Sequence, residues 1–339
     1  MPAGFTTQRS ILRNIVVGGG IQLTLNEVML DAALTYRMRP ETSGFFQFES
    51  EVESDYQYAG KGTSFATESR EIARTASGEF RTRVDDYLAG WLLSMVMGND
   101  AFVAGAVGPP ATPNTHTITW ADTGAPAQLT NIYIEDAPGL KYKFQDTSLS
   151  KVVISGTDKG SLMAACSFIG TGRYQDGAMA ALPALPTAQY LYGSDCTVSI
   201  GPTGDAVSMK PRVLSFEATF DHANDLFRSL GGGLYPVFPR YGNPLMGLKL
   251  VIAVDTTSDV RDWKVNRTLL EVKLDIVSGA AELHLDYPAV IIKKADIGET
   301  EKYVTYTVEF DKDDLLQPTG GQICTATVKN SAAAYLIAA

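Results

Sequence analysis

The sequence predicts a mainly β fold: two tandem antiparallel β-sandwich units, each with one flanking α-helix and one long loop. Three observations carry this. Apolar and polar residues alternate at period two in many short runs, of which Phe45–Tyr58 (FFQFESEVESDYQY) is the first. Helix-like text occurs at one place in each half. The order strand, long loop, strand, helix, strands is met twice.

Residues 1–40 read as an N-terminal arm, in which Asn26–Tyr36 (NEVMLDAALTY) fits either a helical turn or a strand. The first β unit is set at 41–180. After the alternating run from Phe45 comes GKGTSFATESREIARTASG, polar, glycine-bearing and without period, hence a long loop over Lys61–Ser77. GEFRTRV alternates again. Asp85 or Asp86 then caps a helix, YLAGWLLSMVMG, whose apolar surface runs nearly all round and must be covered by other elements. A Pro/Gly/Ala loop follows. HTITW, NIYIED, KYKFQD, LSKVVISG and SLMAACSFIGTG read as the short strands of a meander.

The Ala/Pro-rich, nearly uncharged stretch ending in LYGSD places a connector at 181–195. The second β unit is set at 196–312. CTVSIGP and RVLSFEATFDHAND are strands. LFRSLGGGLYPVFPRYGNP is a loop, Leu226–Pro244, with a triple glycine and three prolines. GLKLVIAVD is a strand, SDVRDWKVNRT a short helix capped by Ser258 or Asp259, and LLEVKLDIVSG, AELHLDYPAVIIKKADIG and KYVTYTVEFD are strands. Residues 313–339 read as a C-terminal arm, with one more strand as the alternative. Laid side by side, the halves share the position of their one helix and their one long loop, and the turns GTDKG and GETEK fall at the same place. We read this as a duplication.

Composition bounds the function. The chain has 339 residues, 45% hydrophobic and 19% charged, as in a folded protein, with net charge −10 and pI about 4.9. That charge argues against wrapping nucleic acid and suits a surface that DNA passes without sticking. Cys166, Cys196 and Cys324 stand far apart, which excludes a CxxC zinc pattern and a disulfide framework and suits free thiols in the reducing cytoplasm. No run of apolar residues is long enough to span a membrane, and the N-terminus lacks signal-peptide features.

Chemistry is hard to find. His116, His222 and His284 have no second histidine or cysteine at ligand spacing, and GxSxG, HExxH and P-loop patterns are absent. His222 in ATFDHAND reads as a polar turn at a strand end. VVGGGIQL lacks the dinucleotide spacing, and DKDD at Asp311–Asp314 lacks the glycine and the final glutamate of a calcium loop. No cofactor, metal or enzymatic activity is expected.

The order of elements, together with SGEFRTRVDDYLAGWLLSMVMG and LKYKFQDTSLSKVVISGTDKGSLMAACSFIG, resembles the tail tube proteins of phages with long non-contractile tails, over roughly residues 45–310. The resemblance implies tail-tube-like β units and a structural virion protein that self-assembles into stacked rings. These would form the hollow tail tube through which DNA is ejected. It departs from simpler members in its doubling, which implies three chains in a pseudo-hexameric ring. It also implies a tape measure protein and a tail terminator as partners, passage of genomic DNA without specific binding, and a place in the virion tail after assembly in the host bacterial cytoplasm. On this reading the two long loops contact the next ring, through Lys61, Phe65, Arg70 and Arg74 in the first and Phe227, Tyr235, Phe238 and Tyr241 in the second. Glu49, Glu51, Glu53 and Glu217 are acids that either face the lumen and repel phosphate or lie on a solvated outer face. The alternative function is a β-sandwich binding module of a virion, recognising a receptor or carbohydrate.

Overall fold

The computed structural model describes residues 12–17, 22, 36–38, 40–43, 47–55, 68–106, 112–136, 141–177, 189–204, 207–208, 212–230, 233–254, 259–299, 304–332 and 335. The first half runs β1 (Leu12–Val17), β2 (Tyr36–Met38), β3 (Pro40–Ser43), β4 (Gln47–Asp55), β5 (Glu68–Arg83), α1 (Asp86–Met97), β6 (Gly98–Val103), β7 (Asn114–Trp120), β8 (Thr130–Asp136), β9 (Lys141–Thr157), β10 (Met163–Gly170) and β11 (Tyr174–Asp176). The second half opens with β12 (Cys196–Pro202), β13 (Val207–Ser208), β14 (Val213–Asp221), β15 (Asp225–Phe227), β16 (Phe238–Arg240) and β17 (Leu245–Ala253). It continues with α2 (Asp259–Asn266), β18 (Leu270–Ser278), β19 (Ala281–Val290), β20 (Lys294–Glu299), β21 (Val304–Phe310) and β22 (Thr325–Asn330).

The fold is mainly β, with antiparallel sheets arranged as a sandwich. The larger sheet contains the path β4-β5-β10-β9-β14-β17-β21-β20, with β3 beside β4 on β5, and β11, β8, β1 and β2 reached through the first part of β9. The smaller sheet has the order β13-β12-β18-β19-β22-β7-β6. Alternation explains which face is buried. On β14, Phe216, Ala218 and Phe220 are buried and Glu217 is exposed. On β17, Met246, Leu248, Leu250 and Ile252 are buried and Lys249 is exposed.

Helix α1 lies between the sheets, touching β9 and β14 on one side and β7, β22 and β19 on the other. Its residues from Leu88 to Met97 are all buried, as its all-round apolar surface requires. Asp85 is the cap: its side chain accepts the Leu88 N–H at 2.7 Å, and the Tyr36 hydroxyl donates to the same carboxylate. Gly98 ends the helix with φ 96°, a conformation that favours glycine. Gly90 lets the ring of Tyr335 close on the helix, since a Cβ there would lie 2.3 Å from it. Helix α2 is the opposite kind: polar, with Val260 its one buried residue, set on the periphery beside β20.

Several expectations are corrected. The polar segment expected as a loop over Lys61–Ser77 is, from Glu68 onward, the long strand β5 paired with β4. Its period was hidden because the outer end of this hairpin has water on both faces, with Ser69, Arg70 and Ile72 exposed, and its inner part buries the small residues Ala73 and Ala76. Loop Leu226–Pro244 contains the small β15–β16 hairpin. KYKFQD and LSKVVISG are one strand, bent at Asp146, whose φ is 51°. AELHLDYPAVIIKKADIG divides into β19 and β20, which belong to different sheets. Instead of forming an arm, the C-terminal segment supplies β22, the strand between β19 and β7, with Cys324, Ala326 and Val328 fully buried. Within 1–40, β1 pairs with β8 and β2; of Asn26–Tyr36, residues 26–35 lie outside the described residues and Tyr36 opens β2. The connector is described only from residue 189, where Leu191 is buried and Tyr190 bridges to Asp85. One continuous hydrophobic core takes side chains from both halves.

Candidate functional site

The two segments singled out as long loops meet. On β5, the Arg74 N–H donates to the Leu234 carbonyl at 2.8 Å, and Arg228 donates to the Arg74 carbonyl at 3.3 Å. The Arg74 guanidinium grips Glu71 through Nε and Nη2, both at 2.8 Å, and reaches the Tyr235 hydroxyl at 3.5 Å. The Tyr235 ring lies 4.4 Å from the Arg173 guanidinium and 5.8 Å from that of Arg74. Arg173 in turn stands 3.6 Å from the buried Asp146 carboxylate at the bend of β9. The second loop is thus tied to the first hairpin and to the bend in β9.

Other predicted residues divide between surface and base. Phe227 and Phe238 pack across β15–β16 with ring centroids 5.3 Å apart and planes tilted by 30°, and Arg240 covers both. Leu230 at the loop tip is wholly exposed. Arg70 is exposed opposite Glu53. Tyr241 sits elsewhere: it is buried within its own chain, donating to the Met95 carbonyl at 2.9 Å and accepting from the Gln128 N–H at 3.1 Å. It fastens the base of the loop to α1 and leaves the loop surface to Phe227, Tyr235 and Phe238. Beside it His222, expected in a polar turn, is fully buried, stacked on Tyr241 at 4.1 Å, with Nδ1–H donating to the Val96 carbonyl at 2.8 Å. Burial lowers its pKa, so the ring is neutral at pH 7. Lys61 and Phe65 lie outside the described residues.

The four predicted acids share one side of the larger sheet. Glu49 pairs with Thr75, Glu79 with Ser167, Ser167 with Lys151, and Lys151 with Asp221 on the strand that carries Glu217. Glu49, Glu51 and Glu53 alternate on β4 and are exposed. This side is not purely acidic. Arg81, Lys151, Lys249 and Lys294 lie on it too, and Lys249 stands opposite Glu217. Glu309 bridges Lys294 at 2.7 Å and Lys249 at 3.1 Å, and these cations, Lys294 foremost, hold its carboxyl below the usual range.

A pair of hydrogen bonds relates the two halves. Val84 N–H donates to Leu162 O at 2.9 Å where β5 leaves β10, and Val254 N–H donates to Val304 O at 2.8 Å where β17 leaves β21. From those matched points the strand order β4-β5-β10-β9 is met again as β14-β17-β21-β20, with a helix after the second strand each time. Strand β9 of the first set pairs antiparallel with β14 of the second. Among the described residues this leaves β4 paired only with β5 and β20 only with β21. Sequence reasoning missed the β20 edge, because it takes the run AELHLDYPAVIIKKADIG without a break where the chain changes sheets. Pro288 and the Lys293-Lys294 pair are the signals that could have found it.

Among the described residues no cluster of three or more His, Cys, Asp or Glu has metal-binding geometry. Burial pushes the Cys166 thiol up to about 12, and Cys324 is likewise buried with a raised pKa. No helix of the described residues is long and apolar enough to cross a membrane. In comparison with known families, residues 37–311 match the family described as phage tail tube protein. No curated protein matches the sequence.

Proposed function

Because the chain belongs to the phage tail tube protein family, matched over most of its length, and is on that ground a structural protein of the phage tail, we propose that it self-assembles into stacked rings whose bore conducts DNA. Three chains make a ring, each supplying two wedges. The observation that carries this is the double strand order: two four-strand sets joined edge to edge within one chain, with one strand edge left at each end of the set. A heterologous joint that repeats about an axis closes a ring, and stacking of rings makes a filament. The exposed side of the larger sheet, with its mixed charges, is the candidate lumen wall. The adjoining loops, carrying Arg70, Arg74, Phe227, Tyr235 and Phe238, are the candidate ring-to-ring contacts. Tape measure and terminator proteins are the partners at the tube's bore and end, and assembly takes place in the bacterial cytoplasm.

Electron microscopy of the purified protein at high concentration tests the reading. Hollow filaments with three-fold end-on averages are expected. Small compact particles at every concentration would overturn it and favour the binding module.

A further inference from the structure

We propose that the β20 edge of one chain pairs antiparallel with the β4 edge of a second copy, in the register of the internal β9–β14 joint, so that Lys294 stands opposite Glu49. This rests on the ring reading above and names its joint.

The register follows from the matched valines. Ser167 and Glu309 each lie five residues beyond the matched carbonyls of Leu162 and Val304, and they pair with Lys151 and Lys294. Lys294 therefore holds on β20 the place that Lys151 holds on β9. Likewise Thr75 and Leu245 each lie nine residues before Val84 and Val254, and they pair with Glu49 and Asp221. Glu49 therefore holds the place of Asp221. Inside the chain, Lys151 is directly opposite Asp221. Transferring that pair to the outer edges sets Lys294 against Glu49 and Ala295 against Phe48, the counterpart of Phe220. Lysine meets carboxylate in both joints, with the same polarity.

A second observation is independent of charge. Ile154 on β9 pairs with Ala218 of β14 and is 0% exposed, whereas its counterpart on β20, Ile297, is 72% exposed. Leu162 is 0% exposed and its counterpart Val304 is 51% exposed. Positions that are buried in the first half, where the sheet continues from β9 into β14, thus lie bare in the second, where among the described residues it ends at β20. A long strand edge bearing bare apolar side chains is a surface that another strand will cover. A second copy offers an edge of opposite charge at this joint, with Glu49 exposed and the continuation of β4, Ser50 to Glu53, exposed beyond it.

The test is a disulfide across the joint. In a Cys196→Ser background, Glu49→Cys with Lys294→Cys should yield covalent multimers under mild oxidation, while each single variant and the out-of-register pair Glu53→Cys with Lys294→Cys stay monomeric on denaturing gels. Lys294→Glu should slow assembly about fivefold at low salt, and adding Glu49→Lys should restore it. Filaments that form normally but never cross-link at 49/294, or that cross-link equally at 53/294, would overturn the register and leave the tube intact. If the wild-type chain never forms rings or filaments, the ring reading and the joint fall together.

Discussion

At the residue scale, buried polar groups decide how the loops are held. Asp85 caps α1 and also receives the Tyr36 hydroxyl, so one carboxylate fixes the start of the helix and the short strand β2. Asp85→Ala should cost about 2 kcal/mol, the upper range for an N-cap, because a buried hydroxyl loses its acceptor too; chemical denaturation measures it. His222 makes stability depend on pH. Its folded pKa is lowered by burial, so the neutral form stabilises the fold fully above the ordinary histidine value near 6.5, and stability is lost as pH falls below that value toward the folded pKa. His284 acts in the opposite sense. Burial pulls its pKa down, but Glu282 and Asp275 outweigh that and leave it raised, so its contribution is present at low pH and lost as pH rises through the folded value. Removing His284 should therefore steepen the acid loss, and His222→Gln should flatten it. Denaturation midpoints at pH 7.5 and 5.5 compare the two, and an unchanged slope in His222→Gln would refute the assignment.

At the scale of elements, the ends of the chain and the loops exchange their expected importance. Strand β22 lies between β19 and β7, and its removal would open the smaller sheet and uncover α1. Truncation before Ile323 should abolish soluble folded protein, where loss of a true arm would leave the circular dichroism spectrum and melting unchanged. The second loop behaves in the other way. Its base is fixed by Tyr241 and by β15–β16, whereas its tip, with Leu230, is solvent-exposed. Replacing Arg228–Pro236 with a Gly/Ser linker should leave a folded protein that closes rings but no longer stacks them, since the replaced segment includes Tyr235 and its contacts to Arg74 and Arg173. Normal filaments from that variant would contradict the assignment of the loop to ring-to-ring contact. The glycines and prolines marked this segment as irregular but not the β15–β16 hairpin inside it, whose first strand takes in Leu226. The sequence did not show that the first loop is mostly strand. A hairpin wet on both faces has no apolar period to read, and pairing with β4 alone reveals it.

At the scale of the whole molecule, two halves share one core and one continuous sheet. The helices of the two halves differ: α1 is enclosed between sheets, while α2 lies outside with one buried residue. The end strands β4 and β20 differ in chemistry, so a ring closed through them would be directional. The three-fold end-on averages predicted for the filaments belong to this scale. Averages with true six-fold symmetry would instead mean that each chain contributes a single wedge.

By itself, the sequence determined the mainly β class, the capped apolar helix Asp86–Met97 and the strands whose alternation meets a single core face, because those signals are local and periodic. Tertiary structure alone decided four things: that β22 is interior, that His222 and Tyr241 are buried under α1, that β19 and β20 part to different sheets, and that β9 joins β14 edge to edge. For the strands this depends on which distant strand supplies the neighbouring hydrogen-bond edge, and for His222 and Tyr241 on which distant helix packs over them; a chain's own periodicity carries its faces but not its partners.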